Sequence, residues 1–457
     1  MPLERSIIDE TLRTEQGERA YKVCETLHDA GYDTWWVGGC VRDMLLGRVP
    51  EDIDIATAAT PEQVCALFRR NDPNAAKMGS VRVIAGPHIL EITTFREDDE
   101  ASDGRHPESI IYADRSRDAK RRDFTINAIY WHPISGEIDD PFDGQGDLKE
   151  KLIRFIGEPA IRIKHDALRM LRAVRFRAAL MGQYHPDTYA ALREHATHIE
   201  VLSGTRMLGE LEKMLALPHP DRALEDLWEL SILRVMIPEL EQCKGIPQPA
   251  DYHHEGDVWE HTLACTRAFE PWDDGDVRLA ALFHDCGKAE TFSRKERIRF
   301  DEHASVSADT ATTVLMRLQC PRKRIQKIDW LIRHHMMMAA FFEMSDERKT
   351  HWYFHPWFPD LLELFRLDIA GTTPSDYSFL DRILKDYHQF LDKHPRPIKP
   401  LLNGTEIMEL LGLERGGERV GELLQMLHDA QVRGEVTSRE EARAFLQNNG
   451  KDTKKGR

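Results

Sequence analysis

Between residues 37 and 57 the chain reads VGGCVRDMLLGRVPEDIDIAT, a string that dictates a strand, a turn on two glycines, a helix and a second strand. Gly38 and Gly39 let the backbone approach a bound group closely, and the amides at the helix start favour an anion there. Arg42 stands one turn in, within reach of the same anion. Asp52 and Asp54 are two apart on a β-like run, which puts both carboxylates on one face while Ile53 and Ile55 take the other. Paired acids repel unless a cation lies between them. Mg²⁺ suits the position, because carboxylates fill part of its octahedron and leave the rest for water and a triphosphate. Glu91, between Leu90 and Ile92 on a later strand, is a third carboxylate for that site.

The flanking pattern is α/β. Ala20, Val23, Leu27 and Ala30 recur at helical spacing and Gly31 closes the helix. Thr34 to Val37, Ile53 to Ala56 and Val81 to Ile84 read as strands, with Ile89 to Phe95 completing a hairpin across Gly86-Pro87. From about residue 160 the β signal nearly disappears and amphipathic helices with Pro or Gly breaks take over.

Further strings follow in order: Lys120-Arg121-Arg122-Asp123-Phe124-Thr125-Ile126-Asn127, then Asp140-Pro-Phe-Asp-Gly144 through Phe155, then Asp166-Ala-Leu-Arg169-Met-Leu-Arg172-Ala-Val-Arg175-Phe176. With the 37–57 string these resemble motifs A to D of the nucleotidyltransferase superfamily, in the class II branch of CCA-adding enzymes and bacterial poly(A) polymerases. The resemblance implies a head with a mixed sheet and helices, and extension of tRNA 3′ ends from CTP and ATP with release of pyrophosphate. It makes Asp52, Asp54 and Glu91 catalytic, with Mg²⁺ on the two aspartates. Gly38, Gly39, Arg42, Arg121, Arg122, Asp123, Asn127, Asp166, Arg169, Arg172 and Arg175 become nucleotide-binding. Asp166 and Arg169, three apart, are expected to share one helix and to hold each other as acceptor and donor for the base edge. His165 stands where the family usually has a glutamate. Lys77-Met-Gly-Ser-Val-Arg-Val83 follows the CCA-adding pattern rather than that of the poly(A) polymerases, and Ser102 to Pro107 resembles the flexible loop needed for adding the terminal A. Addition of A alone, or poly(A) synthesis, is the alternative within the family.

A second cluster recurs at His261, His284-Asp285, His303, His334, His335 and Asp368. Around Leu279 to Lys288 the chain resembles the HD superfamily of metal-dependent phosphohydrolases, with His261, His284, Asp285 and Asp368 as its four ligands and His303 and His334 as those of two-metal members. A transition metal (Ni²⁺, Co²⁺, Mn²⁺ or Fe²⁺) suits the imidazoles, and 2′,3′-cyclic phosphates or phosphomonoesters are the implied substrates. A chain whose head has lost transfer and whose HD site does the work is the alternative from another class.

These readings divide the chain into a head (1–155), a helical neck that reads RNA and base (156–245), an HD domain (246–372), a helical tail (373–449) and a disordered end (450–457). Val420, Leu423, Leu424 and Leu427 give the tail an apolar helix face. The net charge of −16 over 457 residues argues against a uniformly basic nucleic-acid binder. Basic residues nevertheless crowd into 115–122, 162–177 and 317–333, which allows a local track for tRNA. No membrane span or apolar leader is read, and seven cysteines without C-x-x-C spacing fit a reducing compartment, so a cytoplasmic location is expected. No protein partner is inferable.

Overall fold

Thr34–Val37 (β1) is buried at all four positions, and its Trp36 meets Trp131 edge-on with ring centroids 5.1 Å apart. Two indoles crossing neighbouring strands fix β1 as an interior strand of a seven-stranded sheet. This computed structural model describes residues 3–74, 76–97, 111–249, 254–294, 298–394, 399–413, 417–432 and 434–449. The expected Ser102–Pro107 loop and the 450–457 end lie outside them. The chain forms two compact units, one of residues 1–241 with 317–320, the other of 242–316 with 321–457.

In the first unit β1 pairs antiparallel with Ile55–Thr57 (β2), and β2 pairs parallel with His88–Thr94 (β5). Asn71–Asp72 (β3) and Ser80–Ala85 (β4) extend that side, and the order is β3-β4-β5-β2-β1, then Tyr130–Trp131, then Ile138–Asp139. The expected hairpin is present: Ala85 pairs with His88 across Gly86, whose φ of 70° only glycine adopts easily. One expectation shifts. The second strand begins at Ile55, so Asp52 and Asp54 lie on the segment entering it rather than within it. Alternation survives because Val37 N–H donates to the Asp54 carbonyl, and Ile53 and Ile55 are buried while both aspartates are exposed.

Helix Leu168–Leu180 buries Met170, Leu171, Ala173, Val174 and Phe176, leaving its arginines toward the open side. The loss of β structure after 160 is not complete. Gln183–Tyr184 pairs parallel with Leu152–Ile153, and Phe292–Arg294 forms a hairpin with Ile298–Phe300 in the second unit.

The second unit packs helix Val258–Arg267 against Phe358–Gly371, and Gly275–Phe283 against Arg322–His334. Its tail has a core of its own, with Leu402, Ile407, Leu423, Leu427, Ala430, Val436, Ala442 and Leu446 buried together. Asn403 caps helix Gly404–Leu411 in a reciprocal pair with Glu406. Among the described residues no helix is long and apolar enough to cross a membrane.

Candidate active sites

In the first unit Gly38 turns β1 into helix Gly39–Leu45 with φ 78°. A Cβ on Gly38 would lie 3.6 Å from Arg122 Nη1, so the turn runs directly beneath a guanidinium. The Gly38 amide itself is taken by the Ile129 carbonyl at 3.3 Å. The positive charge at the turn therefore comes mainly from side chains.

Arg122 is fixed from below. Its Nε donates to Tyr130 Oη (3.0 Å) and Asp118 Oδ2 (3.2 Å), and Tyr130 Oη donates to the same Asp118 oxygen at 2.7 Å. Asp118 is fully buried and also accepts from Arg121 Nε at 2.8 Å. Asp123 likewise anchors a guanidinium, accepting from Arg172 Nε (2.7 Å) and from Asn127 Nδ2 (3.0 Å). Against the burial that would raise it, Arg172 and Asn127 hold the Asp123 carboxyl below its usual range. Arg42 Nη1 in turn donates to Asn127 Oδ1 at 2.6 Å. The guanidinium carbons of Arg42, Arg172 and Arg175 lie 5.0, 5.3 and 4.3 Å from the Phe176 ring centroid. Three guanidiniums thus gather on one aromatic ring, Arg175 also donating to Glu210 Oε2 at 2.7 Å, while Arg122 is held separately by Asp118.

Arg122 and Arg172 act on the Asp54 carboxylate. Parallel pairing of Ile55 with Ile92 sets Asp54 level with Glu91 on the neighbouring strand. Although Asp54 is exposed as a residue, its carboxyl is partly withdrawn from water, and this desolvation raises it above its usual range; Glu91 and Asp52 add to this, and Arg122 and Arg172 oppose it. Among the described residues Asp52, Asp54 and Glu91 do not form a group of three donors within 4.8 Å. Oxygen-only donors, few in number and open to solvent, fit a divalent cation that draws its remaining oxygens from elsewhere.

Asp166 and Arg169 depart from expectation. Asp166 ends helix Pro159–His165 with extended backbone, and the next helix begins at Leu168, so the two do not share one helix. The Asp166 carboxylate accepts from Arg206 Nη2 at 2.9 and 3.0 Å, while Arg169 donates to the carbonyls of Arg162 (3.0 Å) and Arg121 (3.2 Å). Each is held by its own partners. Arg206, on helix Gly204–Leu215, carries no local signal in the sequence. Asp118 does, standing three and four residues before Arg121 and Arg122.

In the second unit four imidazoles converge. Their Nδ1 atoms all face acceptors: His284 the Ala281 carbonyl (2.8 Å), His303 the Phe300 carbonyl (2.9 Å), His335 the Ile332 carbonyl (2.7 Å), and His261 both Glu255 (3.1 Å) and the Gly371 carbonyl (3.3 Å). A carbonyl cannot donate, so each Nδ1 carries a proton, which leaves Nε2 as the nitrogen through which each ring would bind a metal. Those Nε2 atoms meet at 3.3 Å between His261 and His284 and at 3.3 Å between His303 and His335. Two ring nitrogens that close need a proton or a metal cation between them. Burial, with His284 adding to it, pushes His335 down to about 4, in keeping with a neutral ligand.

Asp285 joins the two pairs. Its Oδ2 lies 3.4 Å from His284 Nε2 and its Oδ1 3.5 Å from His303 Nε2. Asp368 Oδ1 approaches His261 at 3.1 Å. The expected His334 is not in this cluster. Its Nδ1 is on the Trp330 carbonyl at 2.7 Å and its ring packs on Trp330 and Trp352, while the adjacent His335 points inward. Neighbouring residues at a helix end project about 100° apart, so only one of the two can face the cluster. A cavity of about 710 Å³ opens on these groups, lined also by Lys288, Arg299, Phe300, Phe365 and Thr372.

Residues 34–154 match the Poly A polymerase head domain, residues 183–244 the probable RNA and SrmB-binding site of polymerase A, and residues 254–349 the HD domain. The chain is 34% identical to the CC-adding tRNA nucleotidyltransferase of Thermus thermophilus over 434 residues, 91% of this chain and 93% of that one. It is 31% identical to the A-adding tRNA nucleotidyltransferase of Deinococcus radiodurans, over 91% of this chain and 95% of the relative. Among solved structures it resembles the Bacillus stearothermophilus CCA-adding enzyme in complex with CTP, with a TM-score of 0.72 and 28% identity over 95% and 97% of the two chains. With relatives of 31–34% identity aligned over almost its whole length and the head-domain match over residues 34–154, the chain belongs to the tRNA nucleotidyltransferase family.

Proposed function

We propose that the chain completes tRNA 3′ ends by adding C, C and A from CTP and ATP, releasing pyrophosphate at each addition. The observation that carries this reading is the approach of Arg122 and Arg172 to the Asp54 carboxylate, which Glu91 and Asp52 adjoin. A triphosphate needs cations on its oxygens, and the attacking hydroxyl needs an acidic flank that holds metal. Asp52 and Asp54 would hold Mg²⁺, which when bound supplies charge for the triphosphate and lowers the pKa of the 3′-hydroxyl. Arg122 and Arg172 position the phosphates while the 3′-oxygen bonds to the α-phosphorus and the bond to pyrophosphate breaks. Asp166, bound by Arg206, and Arg169, bound to backbone carbonyls, offer an acceptor and a donor to the incoming base.

The purified chain incubated with labelled CTP and ATP, and with tRNA lacking CCA, CA or A, tests this. Use of both nucleotides, ending at A, is expected. Two CTP additions and no ATP would place the chain with its CC-adding relative, and ATP use on the CC-ended tRNA alone would place it with the A-adding one. Neither nucleotide being used would end the transferase reading. Arg206→Ala should loosen Asp166 and lower the preference for the correct nucleotide about 10-fold, the cost of roughly one charge-assisted hydrogen bond. Misincorporation ratios for CTP, ATP, UTP and GTP check it, and an unchanged ratio would remove Arg206 from base selection.

The His and Asp cluster favours a second, hydrolytic reading for the other unit. Its imidazole-rich donors suit Ni²⁺, Co²⁺, Mn²⁺ or Fe²⁺, which would acidify a water for attack on a phosphate ester. The cavity is within the range of about 300–1,000 Å³ usual for small-molecule sites, and its lining sets Lys288 and Arg299 among Asp285, Asp301, Asp368 and Asp376. Nucleoside 2′,3′-cyclic phosphates and phosphomonoesters fit that chemistry.

A further inference from the structure

Cys265 belongs to the same donor group as His261, His284 and Asp368, with the four ligand atoms all within 4.8 Å of one another. It lies four residues after His261 on helix Val258–Arg267, so both side chains leave the same face. Its Sγ is 3.5 Å from His261 Nε2. The other measured separations are 3.3 Å for His261 to His284, 3.1 Å for His261 to Asp368 and 3.6 Å for His284 to Asp368. A tetrahedral Zn²⁺-type centre with N, O and S ligands has donor-to-donor edges of about 3.3–3.6 Å. These four edges sit near that figure, and the remaining two, from Cys265 to His284 and to Asp368, lie within 4.8 Å.

The packing around the thiol is specific. A Cβ at Gly371 would overlap the Cys265 sulfur and come 3.2 Å from His261 Cε1, so glycine at that position leaves room for both groups. Gly371 also accepts from His261 Nδ1 through its carbonyl. By contrast Cys243 and Cys286, also buried in this unit, turn their sulfurs to the Cys286 and Ser307 carbonyls. Among the described residues, Cys265 is the cysteine that joins a metal-donor group.

We infer that Cys265 is a metal ligand, so that one side of the centre is a thiolate site for a Zn²⁺, Co²⁺ or Fe²⁺ class ion, unlike the Asp285, His303 and His335 side. The inference rests on the metal-site reading above and adds a soft ligand to it. Thiolate selects against Mg²⁺ and Mn²⁺ and toward later, softer ions. Asp285 Oδ2, already engaged by Lys288 at 2.6 Å, is left to span the two sides.

The test uses the full chain stripped by chelator and reloaded with Co²⁺. The parent and Cys243→Ser should show a near-ultraviolet sulfur-to-cobalt charge-transfer band, and Cys265→Ser should lose it. Loss of an outer-shell partner alone costs about 10–100-fold in metal affinity, so Cys265→Ser should bind cobalt at least about 10-fold more weakly. X-ray absorption of the Zn²⁺-loaded parent, which needs no variant, should show a Zn–S distance of about 2.3 Å. Cobalt bound without the band, a band that survives Cys265→Ser, or zinc with only N and O neighbours would overturn the ligand role and leave the metal site standing. Failure of the parent to retain any metal would instead remove the metal-site reading itself.

Discussion

Asp54→Ala should lower nucleotide incorporation by about 10³-fold or more while the protein stays folded. Three decades correspond to about 4 kcal/mol of transition-state stabilisation, the scale expected when a metal-holding carboxylate is lost. The fold should tolerate the change because Asp54 lies on the exposed face of its segment, with Ile53 and Ile55 doing the packing. Stability should even rise slightly at neutral pH. Burial and the nearby Glu91 and Asp52 raise the Asp54 carboxyl in the folded state, so the fold prefers it protonated. That preference favours the fold fully below the unfolded carboxylate range and is lost as pH rises through the raised value, leaving an ionised group that costs stability. Asp54→Asn, similar in size, isolates the charge. Its melting temperature at neutral pH should equal or exceed the parent's, with incorporation still lost. Normal incorporation by either variant would take Asp54 out of the catalytic machinery.

The second large effect is expected at Asp285. Asp285→Ala should abolish hydrolysis of a nucleoside 2′,3′-cyclic phosphate and leave CTP and ATP incorporation nearly unchanged. Its two oxygens address different imidazole pairs, Oδ2 toward His284 and Oδ1 toward His303 and, at 4.0 Å, His335. That makes it the link between the two pairs. Burial acts to raise its carboxyl, yet His284, Lys288 and the remaining imidazoles hold it far below its usual range. Removing it leaves Lys288 with Gln248 and without its carboxylate, a loss of about 3–5 kcal/mol for a broken buried pair. Asp285→Asn keeps the volume and one oxygen, and should separate lost hydrolysis from lost stability. Hydrolysis that survives in Asp285→Asn with one metal fewer per chain would argue for a single-metal centre. A parent with neither bound metal nor hydrolysis would leave a helical core furnished with histidines.

The head was legible because its determinants are local. The glycine pair, the Asp52 and Asp54 alternation and the Gly86-Pro87 hairpin are each written within a few residues, and steric limits on φ and strand periodicity translate them directly into backbone. The same holds for the Asn403 cap and for the apolar face that places Leu423 and Leu427 in the tail core. Even the two-residue shift of the second strand left the side-chain faces intact, since alternation depends on extended backbone rather than on where pairing begins.

Partners distant in the chain were not legible in this way. Spacing alone put Asp166 and Arg169 on one helix, whereas the break between helices at residues 166 and 167 separates their elements and Arg206, 40 residues downstream, binds the Asp166 carboxylate. Adjacent His334 and His335 are chemically identical in a string, and only the end of helix Arg322–His334 decides which one enters the cluster and which packs on Trp330. Cys265 carried no signal as one of seven cysteines until Gly371, from a helix more than 100 residues later, made room for its sulfur beside His261. Short-range order is set by backbone sterics and periodicity that each residue carries with it. Which donors share a site depends on how helices far apart in sequence pack, and that choice was made only in the folded chain.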